Sequence, residues 1–250
     1  MSKVLIAGDF HGNHKWAKRV IDLAYEKNIS KIIQVGDFGI WPGEEGDEYL
    51  YILDRYLTKR NIRLYFLPGN HEDWNQLDLW FHEGPKTEEG FVRLLNNIYY
   101  TGKVNSWFWE KKKFAVVGGA TSIDRKWRKL NESWWPQEAL TDKDIAQAKA
   151  IGKSDYLFTH DTSLQHPFEF LSYNVESEIH RGYMSEIGSA IRADLWFHGH
   201  YHEYDEYKFS YGLGYSKVYS LDCDGTSLSQ NTVILDIETG EVSKVDTAIW

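Results

Sequence analysis

The 250-residue chain has one cysteine, five prolines and two methionines. A single thiol excludes an internal disulfide, so this is not a disulfide-stapled scaffold, and Cys223 is read as a small, buried, inert side chain suited to a reducing compartment. With few prolines and no low-complexity run, neither a proline-rich linker nor broad disorder is expected. No apolar stretch approaches the roughly 18 residues needed to span a bilayer, and no membrane partner is expected. Positive charge is also short: 28 Lys and Arg face 37 Asp and Glu, a net charge of −9. Such a chain is poorly suited to neutralising long nucleic acids. A small phosphorylated substrate remains compatible, because bound divalent cations would invert the local charge. The apolar run beginning at Val4 leaves no room for a secretory leader, so a cytoplasmic location is expected.

Aromatic residues are abundant instead. Eleven Trp, 16 Tyr and 12 Phe supply a stiff core and stacking surface. The first third alternates strand and helix signals. Val4–Ala7, Ile32–Val35 and Ile62–Leu67 read as strands. Helices are expected from His14 to Lys27 and from an Asp47 N-cap to about Arg60. This βαβαβ order implies a largely parallel sheet covered by helices. Segments at Ile98–Thr101, Trp107–Glu110 and Phe114–Val117 suggest an antiparallel meander in a second sheet. Residues 121–137 form a polar, basic, Trp-rich excursion, followed by a helix from Thr141 to Ile151. Tyr156–Phe158 and Leu195–Phe197 are further strands with a polar helical region between them, and the tail offers strands at 207–210, 218–221 and 232–237. No linker or repeat divides the chain, so residues 1–250 are read as one domain.

The chemistry lies at the strand ends. Val4–Ala7 runs into Gly8-Asp9-Phe10-His11, Ile32–Val35 into Gly36-Asp37, and Leu64–Leu67 into Pro68-Gly69-Asn70-His71-Glu72. Tyr156–Phe158 runs into Thr159-His160, and Leu195–Phe197 into His198-Gly199-His200-Tyr201-His202. Each apolar run therefore ends in a residue able to ligate a metal, and functional groups in open α/β sheets gather beyond the strand carboxyl ends. Two divalent ions ligated by Asp9, Asp37, neutral imidazoles and an amide oxygen would keep a positive charge attractive to phosphate. Mixed imidazole and carboxylate donors suit Mn²⁺, Fe or Zn²⁺ better than Ca²⁺.

Asp9-x-His11, Gly36-Asp37, Gly69-Asn70-His71-Glu72, His160 and Gly199-His200-x-His202 resemble, in order, the signature blocks of calcineurin-like metallophosphoesterases. The resemblance implies an α/β fold, a four-layer αββα sandwich of two mixed β-sheets flanked by helices, with a dinuclear centre. It assigns Asp9, His11, Asp37 and His202 to one metal, and has Asp37 bridge to a second metal held by Asn70, His160 and His200. His71 becomes the acid or transition-state stabiliser. Two metals about 3.5–4 Å apart would hold a hydroxide for in-line attack on phosphorus.

Other residues have plainer readings. His14 and His198 are expected in supporting or packing roles, His82, His166 and His180 as surface or satisfied polar groups, and Glu72 as opening the next helix. Arg125 and Arg128 are candidates to clamp phosphate and Trp127 to stack on a base; the competing reading is a charged surface loop with Trp127 packed inward. Trp41, Trp134 and Trp135 are candidates for a pocket lining or for loop anchors. Protein serine/threonine phosphatases usually follow the bridging aspartate with Tyr/Val-Asp-Arg-Gly, whereas this chain has Phe38-Gly39-Ile40, against that specificity. A small phosphodiester, such as a 2′,3′-cyclic nucleotide, is the first expected substrate. A phosphomonoester comes second and a nucleic acid third. The reading from another class is a protein-binding scaffold, like the retromer subunit built on this fold.

Overall fold

The computed structural model describes residues 2–166 and 174–245. Its strands are β1 (Lys3–Ala7), β2 (Lys31–Gln34), β3 (Arg63–Phe66), β4 (Val92–Arg93), β5 (Ile98–Tyr100), β6 (Val104–Trp109), β7 (Lys112–Val117), β8 (Tyr156–Thr159), β9 (Leu195–His198), β10 (Asp205–Tyr211), β11 (Gly214–Ser220), β12 (Thr232–Asp236) and β13 (Val242–Lys244). The helices are α1 (His14–Glu26), α2 (Glu44–Arg60), α3 (Trp74–Glu83), α4 (Asp142–Ile151), α5 (Val175–Ile191) and the single turn α6 (Leu228–Asn231). Part of the polar helical region expected between Phe158 and Leu195 falls on 167–173, outside the described residues.

One sheet has the order β13-β12-β1-β2-β3-β5-β4 and the other β10-β11-β9-β8-β7-β6. Both are mixed. The strands β1, β2, β3 and β5 run parallel, with β4 antiparallel at one edge and, at the other, β12 antiparallel to β1 and β13 antiparallel to β12. In the second sheet β7, β8, β9 and β11 are parallel, with β6 and β10 antiparallel at the edges.

Side-chain alternation along the strands divides the core into three layers. Leu5, Ile32, Leu64 and Phe66 face α1 and α2, whose Trp16, Val20, Leu53 and Leu57 are buried against them. Val4, Ile6, Ile33 and Val35 face the opposite way and meet Phe114, Val116, Phe158 and Phe197 of the second sheet. Leu157, Trp196 and Val218, on that sheet's outer face, pack on Met184, Ile187 and Ile191 of α5. Helix, sheet, sheet, helix is therefore the layer order expected from the family resemblance. The aromatic excess has a structural use between the sheets. Phe114, Phe158, Phe197 and Tyr219 stack across neighbouring strands, with successive centroids 5.7, 5.2 and 5.2 Å apart.

Local chemistry explains the helix ends. Asn13 caps α1 by accepting from the Trp16 N–H, and Thr141 and Asp144 close a reciprocal capping box on α4. The second helix starts at Glu44, earlier than the expected Asp47 cap; Glu44, Glu45 and Asp47 fill its first turn, where carboxylates favour the helix dipole. The expected meander is corrected in part. Of its three segments, the two in β6 and β7 form a hairpin in the second sheet, while Ile98–Tyr100 joins the first sheet parallel to β3. A three-residue apolar run does not encode its partner.

Candidate active site

In the first sheet β1, β2 and β3 are adjacent and parallel, so Asp9, Asp37 and Asn70 leave the same edge. In the second sheet β8 and β9 do the same for His160 and the His200–His202 segment. The two sets converge across the inter-sheet layer. His160 Nδ1 donates to Val35 O at 3.0 Å, and the His200 N–H reaches both carboxylate oxygens of Asp9 at 3.2 Å.

Close approach explains the glycines within these blocks. A Cβ on Gly69 would stand 2.1 Å from Asp37 Oδ1, and one on Gly199 would stand 2.1 Å from Asp9 Oδ1. Hydrogen at these positions is what admits the neighbouring strand's carboxylate. Four of the proposed ligands also have left-handed backbone: His11 (φ 45°), Asp37 (φ 51°), His200 (φ 73°) and His202 (φ 52°). Each such non-glycine residue costs on the order of 1 kcal/mol, and clusters of them mark functional sites.

Two sets of donor atoms are close enough to share an ion: Asp9, His11 and His202, and Asp9, Asp37 and His160. His202 Nε2 lies 3.3 Å from Asp9 Oδ2, and His11 Nε2 lies 3.5 Å from Asp37 Oδ2. His160 Nε2 is 3.4 Å from Asp37 Oδ1 and 3.0 Å from Asn70 Oδ1. Donors bound at about 2.0–2.2 Å around one ion stand roughly 3–3.5 Å apart, so these spacings fit. His200 is placed by its ring, 4.8 Å from that of His160.

The field of the two carboxylates is strong. Asp9 and Asp37 are buried at 0% and 1% exposure. Burial pulls the imidazole pKa of His11 down, but the Asp37 hydrogen bond and the charges of Asp9 and Asp37 prevail and raise it to about 10. Burial likewise opposes, and Asp37 and Asp9 overcome it, in raising His160 to about 9. The Asp9 hydrogen bond, with Cys223 adding to it, takes His202 to about 11. Asp37 itself stays well below the usual carboxylate range; burial opposes this, and His160 and His71 outweigh it. His200 goes the other way, to about 4, through burial and the neighbouring His160. Three imidazoles drawn toward protonation show a pocket that stabilises added positive charge, and a divalent ion would supply it while displacing those protons.

Several supporting residues escaped the sequence reading. Asp224 Oδ1 accepts from His11 Nδ1 at 2.8 Å, which leaves Nε2 turned toward Asp9 and Asp37, and Asn13 Nδ2 holds the other Asp224 oxygen at 2.7 Å. A carboxylate behind a histidine in this way fixes its tautomer and orientation. Glu72 does not open α3; Asp73 caps that helix. Glu72 is fully buried and accepts from the N–H groups of Phe38, Gly39 and Ile40 at 2.6, 3.2 and 2.7 Å, pinning the loop that carries Asp37. Burial first, then the Asp37 charge, raises its pKa to about 7 against those three N–H groups. Cys223 is half-buried rather than enclosed and lies beside His202. Of the two readings expected for His180, surface or satisfied polar, the second holds: it is buried with Nδ1 2.6 Å from Asp161, next to His160. His198, by contrast, is expected in a supporting or packing role, and it is buried and meets Tyr207 OH at 3.1 Å.

His71 and Arg128 form the outer wall. Arg128 Nη1 is 2.5 Å from His71 Nδ1 and Nη2 is 3.0 Å from Nε2, while its Nε donates to Asp124 at 2.7 Å. Burial, with Arg128 adding to it against the pull of Asp37, lowers the His71 pKa. A cleft of about 360 Å³ opens here, lined by Asp37, Asn70, His71, Ser122, Arg128 and His202 among others. A second hollow of about 270 Å³ shares His71 and Arg128 as its wall and is closed by His11, Trp41, Pro42 and Trp135. The other two candidates for substrate contact are not among the residues lining this cleft. Arg125 pairs with Glu176 at 3.2 Å and lies over Trp134, and Trp127 is 80% exposed with Lys126 over its ring.

No curated protein matches the chain significantly by sequence. Among solved structures, a protein of Thermus thermophilus aligns with a TM-score of 0.60 at 11% identity, covering 98% of either chain. A dimetal phosphatase from Danio rerio aligns with a TM-score of 0.60 at 10% identity, over 93% of this chain and 91% of that one. These likenesses establish the fold. Among the described residues, no helix is long and apolar enough to cross a membrane. The sequence profile of the calcineurin-like phosphoesterases matches residues 2–204, which contain every strand-end block described above, and the chain belongs to that family of metal-dependent phosphoric ester hydrolases.

Proposed function

We propose that this chain hydrolyses a small phosphodiester, with a 2′,3′-cyclic nucleotide as the first candidate, acting as one domain around a centre of two divalent ions (Mn²⁺, Fe or Zn²⁺). The observation that carries the choice of a diester is the pair of hollows meeting at His71 and Arg128. A phosphate seated between the buried carboxylates and Arg128 would have room for a substituent on either side, which a monoester does not need. Trp41 and Trp135 are among the residues lining one hollow, and Trp41, 41% exposed, offers ring surface on which a base could stack.

The donor set fits the ions. Asp9, His11, Asp37 and His202 would hold one, and Asp37, Asn70, His160 and His200 the other. When bound, they would polarise the phosphoryl oxygens and acidify a water. The remaining work falls to the chain. Arg128 donates to phosphoryl oxygens and neutralises charge that builds there. His71 sits in hydrogen-bonding reach of the same position and gives a proton to the leaving oxygen. Asp37 Oδ1 accepts the His71 N–H at 2.8 Å, tying the acid's backbone to the proposed bridging ligand.

The test uses protein reconstituted in turn with Mn²⁺, Fe and Zn²⁺. It compares chromogenic phosphomonoesters and phosphodiesters, then 2′,3′-cyclic nucleotides. A higher kcat/KM for diesters is expected. Preference for monoesters would overturn the substrate class, and inactivity with all three metals across a broad panel would return the scaffold reading.

A further inference from the structure

The excursion at 121–137 and the turn that follows it do more than overhang the cleft. Ser122 and Glu138 lie at its two ends, and both are buried, at 3% and 1% exposure, as is Asn70 at 2%. Glu138 Oε1 accepts the Ser122 N–H at 2.7 Å, and Oε2 accepts the Ser122 hydroxyl at 2.8 Å. Asn70 Nδ2 donates to that hydroxyl oxygen at 3.0 Å. Lys103 Nζ holds the carbonyls on either side of Glu138, Gln137 O at 2.9 Å and Ala139 O at 2.8 Å, so the carboxylate is fixed in place.

An amide can present either its oxygen or its NH₂ to a cation, and only the oxygen is a ligand. The two ends are nearly equal in shape, so hydrogen-bond partners decide between them. We infer that Glu138 is a positioning residue that sets the polarity of an Asn70–Ser122–Glu138 relay and so keeps Asn70 Oδ1 facing His160 and Asp37. In its ionised form Glu138 can only accept, so it takes the hydroxyl hydrogen of Ser122. The serine oxygen then has only lone pairs to offer, and the Asn70 NH₂ must turn toward it. The Asn70 oxygen is left 3.0 Å from His160 Nε2. Nδ1 of His160 is committed to Val35 O, so Nε2 is the ring atom left to face the ion position.

The substitution Glu138→Gln keeps the shape and reverses the logic. The Gln oxygen still accepts the Ser122 N–H, but its NH₂ now donates to the serine oxygen. The hydroxyl hydrogen swings toward Asn70, favours the flipped amide and points N–H groups at the cation. Loss of such an orienting partner typically weakens metal affinity about 10–100-fold.

This inference rests on Asn70 being a ligand, as in the proposed function. Calorimetric titration with Mn²⁺ tests it on wild-type, Asn70→Ala, Glu138→Gln and Ser122→Ala proteins, with the melting temperature of each chelator-treated protein as control. The expected result is two Mn²⁺ sites in wild-type. In Glu138→Gln the site that Asn70→Ala loses should weaken about 10–100-fold, with the other site unchanged and an unshifted melting temperature. Ser122→Ala, which frees the amide without reversing it, should weaken the same site by a smaller factor. If Asn70→Ala keeps both sites, the ligand assignment is wrong and the relay falls with it. If Asn70→Ala loses one and Glu138→Gln keeps both at wild-type affinity, the relay alone is overturned. Should Glu138→Gln fail to fold, Ser122→Ala decides: weakening of that site supports the relay, and wild-type affinity overturns it.

Discussion

Arg128 sets both terminal nitrogens against the two ring nitrogens of His71, at 2.5 and 3.0 Å. A neutral imidazole has one lone-pair nitrogen, so only one of these contacts is a good hydrogen bond. The second guanidinium nitrogen is held near a ring N–H it does not match. Phosphate oxygens placed between the two groups would accept from both and relieve that mismatch.

Replacing Arg128 with Ala should therefore lower kcat/KM for a phosphodiester about 10–100-fold, the range expected for losing a charge-assisted contact. Metal content should not change. Removing the guanidinium also removes a charge that disfavours the His71 imidazolium, so any His71-dependent limb of the pH–rate profile should move to higher pH. Steady-state kinetics from pH 5 to 9 reads both effects, and an unchanged kcat/KM would place Arg128 outside substrate binding.

His71→Ala should cost turnover by about 10²–10⁴-fold, the usual contribution of a positioned proton donor. Its metal content, measured by elemental analysis after desalting, should match wild-type. Loss of an ion in this variant would make His71 a ligand instead of an acid.

Gly199→Ala tests the close approach of the strands. Its Cβ would fall 2.1 Å from Asp9 Oδ1, and that buried carboxylate has nowhere to retreat. We expect a melting temperature several degrees lower and loss of the ion that the proposed centre assigns to Asp9, since overpacking costs about 1–3 kcal/mol before the displaced charge is counted. A fully metallated variant with wild-type stability would show that the strand ends are less tightly held.

Asp224→Asn leaves a side chain of the same size but weakens the acceptor behind His11 Nδ1. Metal affinity at the His11 site should fall about 10–100-fold with the fold intact. Competition against a chelator gives the number, and unchanged affinity would reduce Asp224 to a structural brace for Asn13 and the start of α1.

Acid stability has a separate, distant contributor. Glu206 is held at about 2, first by the Lys217 hydrogen bond, then by Tyr204 and Lys244, with burial opposing. A depressed carboxyl stabilises the fold above the unfolded value, about 4.3, and that contribution is lost as pH falls through 2. The side chain is 30% exposed, so solvent screening limits the gain to about 1 kcal/mol. Urea unfolding of Glu206→Gln should show this deficit at pH 7 and none near pH 2. A deficit that persists at pH 2 would assign the loss to packing.

Much of the proposed centre could be read in the chain because each piece of it is local. An apolar run, a glycine and a ligand-type residue within a few positions fix a strand and the group at its tip, and the order of the blocks carries the family resemblance. The same locality explains the misplacement of Ile98–Tyr100: its few residues specify strand geometry, but its partner is chosen by β3, more than thirty residues earlier. Asp224, Ser122 and Glu138 were illegible for a related reason. Asp224 meets His11 across nearly the whole chain, and no local pattern distinguishes it from any solvated aspartate.

The sequence by itself determined the alternation of strand and helix, the residue types at the strand ends and the chemistry those types allow. Only the tertiary structure decided that the ends come from two facing sheets, that Gly69 and Gly199 make room for Asp37 and Asp9, and that Arg128 rather than Arg125 reaches the cleft. Those outcomes depend on sheet packing and on which loop crosses which strand end, and these are set by the sum of many buried contacts rather than by any short stretch of residues.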